Sequence, residues 1–318
     1  MSDGIIHAKN FEEMLLDFAE RAKFKVTGED RLRFLNGQIT NDLTGLRPGN
    51  TLYACALTAK GKLCGDFFVT STAEAFYIDA ALVLQASLLA RLERYIVADD
   101  VAIDDVTNEF GLFHFLIPKL EEHARSNLEA ALAVFRKSFA IFESASNRFA
   151  ISGIDLWYPL SEKSLILERL GVKPCAPDEA ENLRIERGIA AWGSELTEDV
   201  LPHEAGLQDR AINYTKGCYL GQEIISRIRS IGHVNRCLRG LVPVGDLLLE
   251  RGDKLIQGAQ SVKQVGSITS VGRSEKSGRR IALGYVKRGL DRPGTSLQLS
   301  RSNRLIGSVE VRGLPFEP

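Results

Sequence analysis

The chain has 318 residues, of which 44% are hydrophobic and 25% charged, a composition that excludes a disordered or fibrous protein and leaves room for two or three folding units. Forty basic against forty-one acidic residues give a formal net charge of -1, so a global polycation is excluded and any nucleic-acid affinity must come from a local patch. No apolar run approaches the roughly 18 residues of a membrane span, and MSDGIIHAKNFEEM lacks a charged-then-apolar leader pattern, so a cytoplasmic protein without membrane contact is expected.

Phe11, Met14, Leu15, Phe18 and Ala22 recur at helical spacing, which predicts an amphipathic helix over 11–24, with a short strand over 24–26 behind it. After Gly28, EDRLRFLNGQIT predicts a helix with Leu32, Phe34 and Leu35 on its apolar face and Asp30 near its positive end. TLYACAL, LCGDFFVT and AFYI follow as three antiparallel strands with tight connections, then a helix over about 82–95. Mixed helical and strand-like runs recur at GLFHFLI, at KLEEHARSNLEAAL and near Val134 and Phe149, without long βαβ repetition. Pro174 and Pro177 mark a break before DEAENLRIERGI, a helix with Leu183 and Ile185 among its apolar positions. From Arg236 onward the pattern changes to CLRGLVPV, KLIQ, VGSITSV, IALGYV, SLQLS and LIGSVEV, short β runs separated by glycine or charged turns. The fold class expected is α+β: two mixed lobes of antiparallel sheet and helix in residues 1–235, and a small C-terminal β-barrel in 236–318.

The common chemical motifs are missing. Gly61-Lys62 lacks the upstream glycine and the hydroxyl of a phosphate-binding loop, and neither GxGxxG nor GxSxG occurs. His203-Glu204 is not followed by a histidine one turn later, since position 207 is Leu. The five cysteines, Cys55, Cys64, Cys175, Cys218 and Cys237, are odd in number and form no CxxC, so free thiols and no metal site are expected.

The unusual segment is NYTKGCYLGQEIISRIRSIGHVNR, residues 213–236, where a glycine-rich turn leads into a helix starting near Gly221 and Gln222. Ile224, Ile225 and Ile228 form its apolar stripe. Unpaired N–H groups at that start favour an anion, or Glu223 as a local acid, and Lys216 adds a positive charge. Cys218 lies between Lys216 and the helix start, a setting that favours a thiolate; the alternative is a small buried hydrophobe beside a tight turn. Residues 216–240 carry a local net charge of +4, which suits an anionic partner or a solvated face.

KGCYLGQE, Lys216 to Glu223, resembles the signature of the YgfZ family of folate-binding proteins, relatives of the glycine-cleavage T-protein. VTGEDRLRFLNGQITNDLTGLRPG, LRIERGIAAWGSELTEDVLPHEAGL and IALGYVKR support it in the same order along most of the chain. The resemblance implies a ring-like assembly around a bound tetrahydrofolate. It makes Glu186 of RIERG the carboxylate that accepts the pterin N–H groups, a task that suits two acceptor oxygens. It assigns Asp79, Lys216, Tyr219, Gln222, Glu223 and Arg227 to the folate as well, with Lys216 and Arg227 orienting anionic groups.

Gly65-Asp66 stands where the T-protein has paired aspartates, and Asp79 where it has an asparagine, so Asp66 is the remaining candidate for a catalytic carboxylate and Cys218 a second catalytic candidate. The resemblance implies an accessory protein that supports assembly or repair of iron-sulfur client enzymes, tRNA-modifying ones included. The alternative is a folate-dependent aminomethyl or one-carbon transferase using Asp66. Direct tRNA binding through the basic segment is a third, less favoured possibility.

Overall fold

The computed structural model describes residues 15–117, 132–136, 140–258, 263–275 and 277–316. Contacts divide the chain into two compact units, Met1–Ala54 with Asp66–Ala176, and Cys55–Gly65 with Pro177–Pro318. Arg236 opens the first barrel strand, but the division between units falls earlier, at Ala176/Pro177, because helix Pro177–Glu186 packs with the barrel: Asn182 accepts the Arg273 N–H at 2.8 Å.

The strands up to Pro159 are β1 Leu15–Asp17, β2 Ala22–Thr27, β3 Thr51–Leu57, β4 Leu63–Ser71, β5 Phe76–Ala80, β6 Ala102–Asp105, β7 Phe110–Leu116, β8 Phe142–Ser146 and β9 Gly153–Pro159. They form a five-stranded sheet of order β3-β4-β5-β2-β6 and a four-stranded sheet of order β1-β7-β9-β8. The helix expected over 11–24 is not found where the chain is described. Leu15 and Leu16 pair with Phe115 and His114 as an edge strand, and β2 begins at Ala22. The helical spacing is overridden because both leucines are buried by sheet pairing. Residues 11–14 and 119–131, which carry the rest of that helix and most of KLEEHARSNLEAAL, lie outside the described residues.

The five-stranded sheet has two unlike faces, as the two-residue period of a strand requires. Phe24, Val26, Phe67, Val69 and Ile78 are buried on one. The other carries Thr51 and Tyr53, then Asp66, Phe68 and Thr70, then Tyr77 and Asp79, with Lys23 opposite Asp79. This polar face meets the four-stranded sheet: Thr51 Oγ1 lies 2.7 Å from Ser144 Oγ, and the Tyr77 ring packs on Trp157 and Phe142. The expected helices appear as Arg31–Gln38 and, after a 3-10 turn at Leu82–Leu84, Gln85–Glu93.

In the second unit, β10 Arg236–Pro243, β11 Lys254–Ile256, β12 Gln264–Arg273, β13 Arg280–Lys287, β14 Ser296–Arg301 and β15 Arg304–Arg312 close into a barrel of order β10-β13-β12-β11-β14-β15. Leu241, Leu255, Val265, Ile268, Val286, Leu299 and Val311 fill its interior. Arg184 ties helix Pro177–Glu186 and the following loop to this barrel. Its guanidinium meets Glu181, the Ile189 carbonyl, Glu195 at 3.0 Å and Ser270 Oγ at 2.7 Å. The buried Glu195 carboxylate in turn accepts Thr269 and Ser270 hydroxyls from β12. No helix among the described residues is long and apolar enough to cross a membrane.

Candidate functional site

The polar face of the first unit holds a carboxylate in an unusual state. Asp66 Oδ2 accepts the Tyr53 hydroxyl at 2.9 Å, while Oδ1 is sealed from solvent and has no hydrogen-bond partner among the described residues. A buried acceptor without a donor is costly when ionised. Burial accordingly pushes the Asp66 carboxyl up, against the opposing pull of the Arg21 charge and the Tyr53 hydroxyl. Such a group keeps its proton to higher pH than an exposed carboxyl does.

Asp79, on the same face, is in the opposite state. Arg148 Nη1 and Nη2 donate to its two oxygens at 2.9 and 2.7 Å, and Arg21 Nε donates to Oδ1 at 2.6 Å. Arg148 also forks onto Asp155, Nε to Oδ1 at 2.8 Å and Nη2 to Oδ2 at 2.7 Å, and His114 Nδ1 sits 2.7 Å from Asp155 Oδ1. Burial alone pushes both carboxyls up; the Arg148 charge, with Arg21 at Asp79 and hydrogen bonds at both, outweighs it, and both lie below the ordinary range. The His114 ring is held below its usual value mainly by burial. Asp79, assigned to folate by the resemblance, therefore has both oxygens occupied inside a buried ion cluster.

The cluster reaches Asp66 through aromatic rings. The Arg148 guanidinium lies 4.2 Å from the Phe68 ring centroid, and Phe68 packs against Tyr53 at 4.8 Å between centroids. Arg148 thus braces the ring that braces the tyrosine that orients Asp66. Sequence inspection missed Arg21, Arg148, Asp155, His114 and Tyr53. The available signal was polarity inside apolar runs: His114 in GLFHFLI and Asp155 in GIDLWYP face each other in register.

The second unit holds the signature turn. The helix runs Gln222–Ser230, and Gly221 before it has φ +88°. A Cβ there would lie 2.6 Å from the Thr58 carbonyl oxygen, and one on Gly61 would lie 2.8 Å from Ile224, so the hairpin tip 58–62 and the turn interlock through two bare glycines. Lys62 pairs with Asp199 at 3.0 Å beside this tip.

Tyr219 is buried, with Lys216 Nζ 5.2 Å from its ring centroid, and burial pushes its phenol well up. Gln222 Nε2 reaches the Gly217 carbonyl at 3.5 Å, and Glu223 stands exposed in the helix's first turn. Asn213 accepts the Thr215 and Lys216 N–H groups and closes the approach to the turn.

Cys218 is exposed, which removes the alternative of a small buried hydrophobe. The charge of the segment is partly spent within the unit. Arg236 pairs with Glu204, Arg239 with Asp291, and Arg229 stacks on Tyr214. Arg227 is exposed on the helix. Glu186 ends helix Pro177–Glu186 half-buried, its Oε1 accepting the Ser274 hydroxyl at 2.6 Å and its carbonyl the Phe316 N–H at 3.0 Å. Among the described residues no group of three or more His, Cys, Asp or Glu side chains is placed to hold a metal ion.

Residues 12–155 match the GCVT N-terminal domain, and residues 236–316 match the glycine cleavage T-protein C-terminal barrel domain. This chain belongs to the T-protein-like superfamily. Within it, the chain is 25% identical over 324 residues to an aminomethyltransferase of Bacillus subtilis, covering 95% of this chain and 87% of that protein. A Nostoc aminomethyltransferase is likewise 25% identical over 327 residues, covering 94% and 83%. The crystal structure of the glycine cleavage system aminomethyltransferase T from Bartonella henselae superposes with a TM-score of 0.82 at 20% identity, over 95% of this chain and 86% of that one. The T-protein-like architecture thus accounts for both units, with an aminomethyltransferase-like fold throughout.

Proposed function

We propose that the protein binds a reduced folate and serves one-carbon transfer, with Asp66 as the carboxylate that holds the proton. The observation that carries this is the Asp66 Oδ1 atom, sealed from solvent and without a hydrogen-bond partner among the described residues. The neighbouring Asp79 is satisfied on both oxygens, whereas Asp66 keeps one oxygen for a group from outside the chain. The fit is chemical: Oδ1 accepts a ligand N–H when the carboxyl is ionised and donates its own proton to a ligand nitrogen when it is not, and a reduced folate offers both kinds of partner.

When bound, a reduced folate supplies the nitrogen that takes up a one-carbon group. The chain's own residues do the rest. Tyr53 fixes the Asp66 carboxyl by its 2.9 Å bond, burial raises its affinity for a proton, and the Arg148–Phe68 contact keeps Tyr53 in place. Glu186, with Oε1 on Ser274, keeps acceptor capacity for aminopyrimidine N–H groups. Lys216 and Arg227 are the cations assigned to the ligand's anionic end. The test is turnover: purified protein with tetrahydrofolate and an aminomethyl donor forms methylene-tetrahydrofolate, and Asp66→Asn lowers the rate by about 10²–10⁴-fold.

The exposure of Cys218 favours a second reading. In it, the protein is a YgfZ-type tetrahydrofolate-binding accessory factor for iron-sulfur cluster assembly or repair in client enzymes, including tRNA-modifying ones, and Cys218 is its working thiol. Its test is complementation: Cys218→Ala folds and binds folate like the parent yet fails to restore client activity in cells lacking the protein. Full restoration removes this reading.

A further inference from the structure

A cleft of about 870 Å³ opens in the second unit, and none of its lining residues is assigned above to catalysis or folate. Its floor is apolar, made by Ile228, Val234 and Cys237, and its rim carries Arg288 and Arg292. Both arginines are exposed, and among the described residues neither guanidinium has an ion-pair partner. The other charged residue on the lining, Asp291, is already neutralised. Arg239 donates to its Oδ2 at 2.7 Å and to its carbonyl at 2.8 Å, and the Gly289 N–H donates to Oδ1 at 2.9 Å. The Arg288 N–H is tied to the Asn235 carbonyl at 2.9 Å.

The turn between β13 and β14 is therefore braced from within, and it presents two uncompensated guanidinium groups on either side of Gly289. This residue has φ +91°, and the space where its side chain would stand is open. Two cations over one cleft are matched by a centre carrying close to two negative charges. A phosphate monoester has that charge near neutrality and oxygens enough for two planar forks, while a single carboxylate has half of it. The volume exceeds that of a bare phosphate and lies in the range of small-molecule sites, so the apolar floor is left for an organic part.

We infer that this cleft is a binding site for a small organic phosphate, with its phosphate on Arg288 and Arg292 and its carbon skeleton over Ile228, Val234 and Cys237. The inference is independent of the proposed folate chemistry, because it uses none of the same residues.

Calorimetry on the full chain at low salt tests it with phenyl phosphate, benzoate and inorganic phosphate. Phenyl phosphate should bind about tenfold or more tighter than benzoate, which shares its ring, and tighter than inorganic phosphate, which shares its charge. R288A and R292A should each weaken phenyl phosphate by about tenfold, while R304A, an exposed barrel arginine outside the cleft, should leave it unchanged. Saturating tetrahydrofolate should not compete. Absence of phenyl phosphate binding at millimolar concentrations, benzoate or inorganic phosphate binding equally well, indifference to R288A and R292A, or displacement by tetrahydrofolate would each overturn the assignment.

Discussion

Tyr53 donates its hydroxyl to Asp66 Oδ2 at 2.9 Å, and Oδ1 of the same carboxylate is sealed from solvent with no hydrogen-bond partner among the described residues. The bond stabilises the ionised form, and burial opposes it. Tyr53→Phe removes the bond and keeps the ring on Phe68, so the Asp66 pKa should rise further. Activity that requires the protonated carboxyl should then extend to higher pH. A kcat/KM profile of the two proteins checks this; the alkaline limb of Tyr53→Phe should move up, and a limb that stays in place or moves down would separate Asp66 from the rate.

The buried cluster makes a second prediction, on stability. Asp79 and Asp155 have depressed pKa values, so their contribution is present above the unfolded value of about 4 and is lost as pH falls through the folded ones. Arg148→Met removes the guanidinium that bonds both buried carboxylates and leaves Asp155 with the His114 bond and Asp79 with the bond from the half-buried Arg21 and the nearby charge of Lys23. The variant should lose about 3–5 kcal/mol at pH 7. Its remaining pH dependence should reverse between pH 7 and 5, because protonating a stranded carboxylate now relieves the folded state. Urea unfolding at pH 7, 5 and 3.5 reads both effects.

Gly221 and Gly61 make a third. Gly221→Ala sets a Cβ against a backbone oxygen in a left-handed conformation and should cost about 1–3 kcal/mol or more. Gly61→Ala meets only the Ile224 side chain, so Ile224→Ala in the same chain should recover part of its loss, whereas Gly221→Ala should gain nothing from it. Thermal unfolding of the single and double variants distinguishes these outcomes.

Much of this was legible in the residues. The six barrel strands follow from short alternating runs between glycine turns, a pattern set by local chemistry. In residues 15–24 strands replace the expected helix because the spacing fits a helix as well as an edge strand, and only the distant partners Phe115 and His114 decide. Asp66 could be named from the resemblance, but its unpaired oxygen could not, since that depends on Tyr53 arriving from the neighbouring strand. Arg148 lies in the β8–β9 turn, where nothing local marks an arginine that two distant aspartates will enclose. The exposure of Cys218 was equally open from spacing alone.

Glu186 and Ser274 allow a fourth prediction. Glu186→Ala should weaken reduced-folate binding by about tenfold or more, as expected for loss of a charge-assisted acceptor. Ser274→Ala removes only the 2.6 Å bond to Oε1 and should change the affinity far less. Calorimetry with tetrahydrofolate on both variants checks the order; equal affinities for Glu186→Ala and the parent would remove Glu186 from the ligand.

The most direct test of the central claim is the rate of methylene-tetrahydrofolate formation from an aminomethyl donor, measured for the parent chain and for Asp66→Asn at matched folding. The account predicts turnover by the parent and a loss of about 10²–10⁴-fold in the variant. Equal rates in the two proteins, or a parent chain that binds tetrahydrofolate and never turns over, would contradict it.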